Sequence, residues 1–133
     1  MISYDDFSKI EMKVGKILSA EPIPKSDKLL KLSVSFGMVE TVEPLAVPAD
    51  ALAPIAPVVT RTEEIRQILS GIAKHFPDPQ VLVGKRCMFV TNLAPRLMMG
   101  LESNGMILAV STDEGRFSLL EPNNDIPEGT KAR

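Results

Sequence analysis

Leu30, Leu32, Val34 and Phe36 alternate with Lys31, Ser33 and Ser35. Side chains two residues apart share one face of a strand, so this segment has to lie with one face on a core and the other in water. Ile10, Met12 and Val14 alternate in the same way with Glu11 and Lys13, and Gly15 then interrupts the pattern as an expected bulge or bend. Pro22 and Pro24 end this first strand, and the polar run Lys25-Ser26-Asp27-Lys28 makes a turn into the second. Arg86 to Leu93, Met106 to Val110 and Phe117 to Leu120 are further short runs rich in Val, Ile, Phe and Met, each bounded by Gly, Pro, Asn or Asp. Many short strands in 133 residues predict a single all-β domain, closed as a barrel.

Three segments depart from that pattern. Ser3 followed by Asp6 reads as a capping box that opens a short helix over Tyr4 to Lys9. Residues 38 to 61 are rich in Pro, Ala and Val, and prolines at 44, 48, 54 and 57 predict an inserted surface excursion. Ile65, Ile68, Leu69, Ile72 and Phe76 have helical spacing behind Thr62, so periodicity alone predicts a helix there. Asn104-Gly105 reads as a turn with positive φ at one or both residues, and Met106 as a residue that closes the core.

Cys87 is the single cysteine, which leaves no intrachain disulfide framework and no multi-cysteine metal site. A reducing, cytoplasmic setting is the expectation. The first residues carry Asp5 and Asp6 and no apolar run, unlike a secretory signal. Ala46 to Val59, the longest mostly apolar stretch, holds Asp50 and three prolines, so no membrane span is expected. The net charge of -2 argues against nucleic acid until its distribution is considered. Five acids against Arg61 lie between residues 38 and 64, and the remainder is mildly basic.

Catalytic constellations are absent from the sequence. His75 is the only histidine and precedes Phe76-Pro77 with no nucleophile motif, so it reads as a surface residue. Gly100 to Gly105 has its glycines at the wrong offsets for a nucleophile elbow. Val83-Gly84-Lys85-Arg86 lacks the upstream glycine and the following hydroxyl of a phosphate-cradling loop. Cys87 sits inside an apolar strand pattern, where an inert buried thiol is expected. No catalytic residue, metal or cofactor is assigned.

Four co-linear segments carry a resemblance. They are Phe7-Ser8-Lys9-Ile10-Glu11-Met12-Lys13-Val14-Gly15-Lys16-Ile17, then Ser26-Asp27-Lys28-Leu29-Leu30, then Arg66-Gln67-Ile68-Leu69-Ser70-Gly71-Ile72-Ala73. The last is Asn92-Leu93-Ala94-Pro95-Arg96 continuing into Gly100-Leu101-Glu102-Ser103-Asn104-Gly105-Met106. Together they resemble the tRNA-binding domain attached to methionyl-tRNA synthetases and found free as small tRNA-binding proteins. The resemblance implies a five-stranded OB-fold Greek-key barrel with a C-terminal extension, and it implies that residues 66 to 73 are strand. It further implies a homodimer that grips tRNA by shape, free-standing or in trans with a methionyl-tRNA synthetase catalytic chain. CsaA-type peptide-binding export chaperones share the fold and are the second reading.

Under that resemblance the candidate RNA-binding residues are Lys13, Ser26, Lys28, Asn92, Arg96, Ser103 and Asn104. Lys28 and Arg96 are cations suited to phosphate, with Lys13 and Lys16 behind them. Asn92 and Ser103 offer donors and acceptors that serve RNA or a loop equally well. No Trp, one Tyr and five Phe leave little for base stacking, so backbone and shape contacts are expected to dominate. One departure stands out: where the family pattern has a lysine after Pro-Arg, this chain has Leu97, followed by Met98 and Met99.

Overall fold

The alternating segment is the centre of the structure. In the computed structural model, which describes residues 1–43 and 58–133, it lies within β2 (Leu30–Glu43). Leu32, Val34 and Phe36 point inward and are buried, while Lys31 and Ser33 on the other face are half-exposed. β1 (Met12–Pro22) and β3 (Val58–Ser70) flank it in antiparallel register. β4 (Arg86–Val90) pairs with the first half of β1, and β7 (Met106–Ile107) pairs with β4. The resulting five-stranded order is β3-β2-β1-β4-β7. Two hairpins stand outside it, β5 (Arg96–Met98) with β6 (Leu101–Ser103) and β8 (Ala109–Ser111) with β9 (Phe117–Leu119).

The sheet curls until β3 meets the segment running from β6 to β7. There the Asn104 N–H donates to the Gln67 carbonyl at 2.9 Å, and the Leu69 N–H donates to Ser103 Oγ at 3.0 Å. Ile17, Leu32, Val34, Ile68, Leu82 and Phe89 fill the interior with no exposed surface, and the Phe36 and Phe89 rings meet edge to face at 5.5 Å. An OB-like all-β fold follows, as expected.

The sequence expectations hold unevenly. Helix α1 (Tyr4–Ser8) has the predicted capping box, with Ser3 and Asp6 each accepting the other's backbone N–H at 3.2 Å. The segment with helical spacing is β3, a strand, as the family resemblance implied. Gly15 is not a bulge. The register of β1 shifts between Ile17 and Ser19, around exposed Leu18, while Gly15 lies in regular pairing opposite Cys87. A Cβ at Gly15 would stand 2.5 Å from Val34 Cγ1 and 2.8 Å from both the Phe36 and Phe89 rings, so glycine is required there by space.

The expected excursion over 38 to 61 also narrows. Met38 to Glu43 pair with Glu63 to Val58, so β2 and β3 run on as a two-stranded arm. Val39, Thr41, Val42, Val59, Thr60 and Thr62 are β-branched, which favours that extension, and all four prolines of the segment fall in residues 44 to 57, outside the described residues. Ile107 rather than Met106 closes the core, because successive residues of β7 face opposite ways, which leaves Met106 46% exposed. The left-handed hairpin turn sits at Met99 (φ 52°) and Gly100 (φ 78°); of the Asn104-Gly105 pair only Gly105 has a positive φ, and at 158° it is close to extended. Gly105 instead gives room, since a Cβ there would meet Ile68 Cδ1 at 3.0 Å and the Val90 carbonyl at 3.2 Å.

The C-terminal extension straps the open side of β1. Gly129 N–H donates to the Val14 carbonyl, Val14 N–H to Thr130, and Ala132 N–H to Met12. Arg86 ties the strap down by pairing with Glu128 at 2.7 Å and with Asp125. That guanidinium, bonded to Glu128, holds the Glu128 carboxyl below its usual range.

Candidate nucleic-acid interface

Charge pairing sorts the cations. Nine of the fifteen Lys and Arg side chains lie within 4.0 Å of a carboxylate. Among the described residues no such acid partner reaches Lys16, Lys25, Lys28, Lys74, Arg96 or Arg133. Lys16 still feels the nearby Glu128 carboxylate. Lys25, Lys28, Lys74 and Arg96 belong to one end of the barrel.

That end is built from three connections. In the β1–β2 turn, Ser26 Oγ accepts the N–H groups of Lys28 at 3.3 Å and Leu29 at 3.2 Å, a hydroxyl-capped turn that leaves Lys28 exposed. The Lys28 carbonyl in turn accepts the Ala73 N–H at 3.0 Å, which fixes the turn against the short 3-10 helix Ala73–His75 and its Lys74. Two residues before Ala73, Gly71 lines a cavity of about 240 Å³ whose far wall is the β4–β5 loop with Leu93, Ala94 and Arg96. Leu69, Ser70, Met98, Ser103 and Met106 also line it.

Asn92 lies at the root of that loop. Its Oδ1 accepts the Glu11 N–H at 2.8 Å and its Nδ2 donates to the Lys9 carbonyl at 2.5 Å, so it clamps the loop to the start of β1. Ser103 is buried, accepting from Leu69 and donating to the Gly105 carbonyl at 3.2 Å. Asn104 acts here through its backbone, bonding Gln67 by its N–H and accepting from Arg66. Lys13 stands apart, half-buried on β1 and paired with Glu11 at 3.3 Å. The Thr91 hydroxyl bonds that same Glu11 at 2.7 Å, which lowers the Glu11 pKa. The structure therefore brings Ser26, Lys28, Arg96 and Ser103 to one rim, and it leaves Lys13 outside it.

Residues 37–131 match the family model described as "Putative tRNA binding domain". The chain belongs to that family. Among solved structures the chain is similar to the MetRS related protein of Pyrococcus horikoshii, 32% identical, with a TM-score of 0.75 and coverage of 100% of this chain and 98% of that one. The methionine–tRNA ligase of Methanospirillum hungatei is 46% identical over 132 residues, 99% of this chain. The chain spans 16% of that ligase's length. The chaperone CsaA of Bacillus anthracis shares the fold, with a TM-score of 0.71 at 24% identity over 100% of this chain and 99% of that one.

Within this tRNA-binding domain, sequence reasoning passed over Lys25, Lys74 and Arg66. Arg66 pins the barrel seam: its guanidinium pairs with Glu64 at 2.7 Å, donates to the Thr91 carbonyl at 2.5 Å, and lies 5.4 Å from the centre of the Phe36 ring. It opens the third family segment, which was the available signal. Lys25 and Lys74 carry no motif, and only the map of ion pairs distinguishes them. His75 is exposed and stacked on Phe117 at 3.9 Å. Cys87 is buried, and burial pushes its thiol up to about 12. Among the described residues no cluster of three metal-ligating side chains occurs, and no helix is long and apolar enough to cross a membrane.

Proposed function

We propose that this domain binds tRNA through the barrel end that carries Lys25, Lys28, Lys74 and Arg96, with no chemistry of its own. The observation that carries the reading is the segregation of charge. In a chain of net charge -2, four of the six cations that lack an acid partner among the described residues gather at this one end of the barrel. Phosphate recognition needs such uncompensated cations on a rigid frame, because a lysine already paired must release its carboxylate before it can displace counterions. Lys28 and Arg96 are the phosphate contacts. Ser26, Asn92, Ser103 and Asn104 position the turns that present them, through the hydrogen bonds described above.

The domain acts in trans with a methionyl-tRNA synthetase catalytic chain or as a free tRNA-binding protein of the cytoplasm, raising local tRNA concentration. A homodimer fits helix α1, which buries none of its own residues and leaves Ile2 69% and Tyr4 80% exposed. Light scattering of the Tyr4→Asp variant tests this: a shift from dimer to monomer supports it, and a wild-type monomer refutes it. The second reading, a CsaA-like peptide-binding chaperone, is favoured by the exposed Leu97 and Met99 on the β5–β6 hairpin. Fluorescence anisotropy with tRNA and with duplex RNA of similar length separates the two. Salt-sensitive preference for tRNA supports the tRNA module, whereas salt-insensitive binding to unfolded protein without tRNA binding supports the chaperone.

A further inference from the structure

OB barrels hold single-stranded nucleic acid largely by stacking bases on aromatic rings, yet no aromatic residue lines the cavity at the cationic end. Leu69, Leu93, Ala94, Met98 and Met106 give it an apolar lining instead, and Arg96 stands among them. No carboxylate takes part in the lining. The Ser103 hydroxyl that reaches the wall is already bonded to Leu69 and Gly105, which leaves the Ser70 hydroxyl and Arg96 as the polar side chains a guest can meet. At about 240 Å³ the space lies below the roughly 300 Å³ at which sites for drug-sized molecules begin, so it suits one compact group.

We infer that this cavity receives one unstacked nucleobase of the bound RNA, resting on the tRNA-binding reading above. The occupant follows from charge and chemistry together. A nucleotide is an apolar-faced ring tethered to a phosphate, and here an apolar recess lies beside cations that lack acid partners. The thioethers of Met98 and Met106 are polarizable and make favourable contacts with aromatic rings, so they replace the missing aromatic platform. The guanidinium of Arg96 can lie over the base or hold its phosphate. An apolar peptide segment would fill the recess but would leave the surrounding cations unused.

The seven methionines provide the test. The intact chain, labelled with 13C in its methionine methyls, is titrated with a short single-stranded oligoadenylate and with an abasic oligomer of equal length and charge. A base in the cavity moves the Met98 and Met106 methyl resonances upfield by its ring current, leaves Met1 and Met38 in place, and binds about tenfold tighter than the abasic chain. Ala94→Leu, which narrows the mouth from an exposed position without adding an aromatic ring, shrinks that difference while tRNA still binds through the cations. Equal binding of the two oligomers with unmoved methionines, in a protein that still binds tRNA, overturns the inference and spares the tRNA reading. Loss of tRNA binding in the wild type overturns both. An apolar peptide that moves the same methyls where oligoadenylate does not overturns the inference in favour of peptide.

Discussion

Ser103→Ala separates a residue that builds the interface from one that touches RNA. The serine is 3% exposed, its oxygen accepts the Leu69 N–H at 3.0 Å, and its proton goes to the Gly105 carbonyl. Alanine takes the partner from the Leu69 N–H at the barrel seam, where Leu69 is itself 3% exposed. An orphaned buried donor costs about 1–3 kcal/mol. For 133 residues the unfolding entropy is about 0.28 kcal/mol/K, so a loss of about 2 kcal/mol lowers Tm by about 7 °C. Differential scanning calorimetry measures that drop, and tRNA titration at 15 °C, where the variant remains folded, should give an affinity within twofold of wild type. An unchanged Tm with tRNA binding weakened tenfold would refute the positioning role and make Ser103 an RNA ligand.

Leu97 lies directly across the β5–β6 hairpin from Glu102, so Leu97→Lys should form a cross-strand ion pair and, like the other acid-paired cations, should change the salt slope of tRNA binding by well under the roughly 0.7 unit of a full phosphate contact in anisotropy titrations. Gly15→Ala should destabilise the fold by at least about 2 kcal/mol in urea unfolding, because the added methyl meets Val34, Phe36 and Phe89 in a packed core. Glu128 has its pKa lowered by Arg86, so its stabilising effect is present above the ordinary carboxylate value of 4.5 and is lost as pH falls through the lowered value. Glu128→Gln should therefore be less stable than wild type near neutrality and should flatten the acid limb of the stability profile.

What the sequence made legible follows from how simply each element meets the core. β2 alternates buried Leu30, Leu32 and Val34 with half-exposed Lys31 and Ser33, so its period is plain even though Ser35 is buried. β3 differs: at the seam Ile68 packs inward while Leu69 is covered by the β6–β7 segment, so two consecutive residues are buried and the period of two disappears. Only the family segment marked it as a strand. The β5–β6 hairpin was hidden because its left-handed turn uses Met99, a residue with no preference for positive φ. Lys28 and Arg96 were readable from motif position, whereas Lys25 and Lys74 became distinct only once neighbouring lysines were seen to be paired with acids. Lys13 shows the converse: Glu11, two residues away on the same face of the extended chain, occupies its charge.

The central claim is that tRNA is held by the cations left without acid partners at one barrel end. Its most direct test is the salt dependence of tRNA affinity for the wild type, for Lys25, Lys28, Lys74 and Arg96 replaced together by Gln, and for Lys9, Lys85, Arg116 and Lys131 replaced in the same way. The account predicts that the first set flattens the slope by about three units, at roughly 0.7 per phosphate contact, while the second, whose cations are paired with acids, changes it by less than one. Equal losses in the two sets would mean that net charge alone attracts the RNA and would contradict the claim.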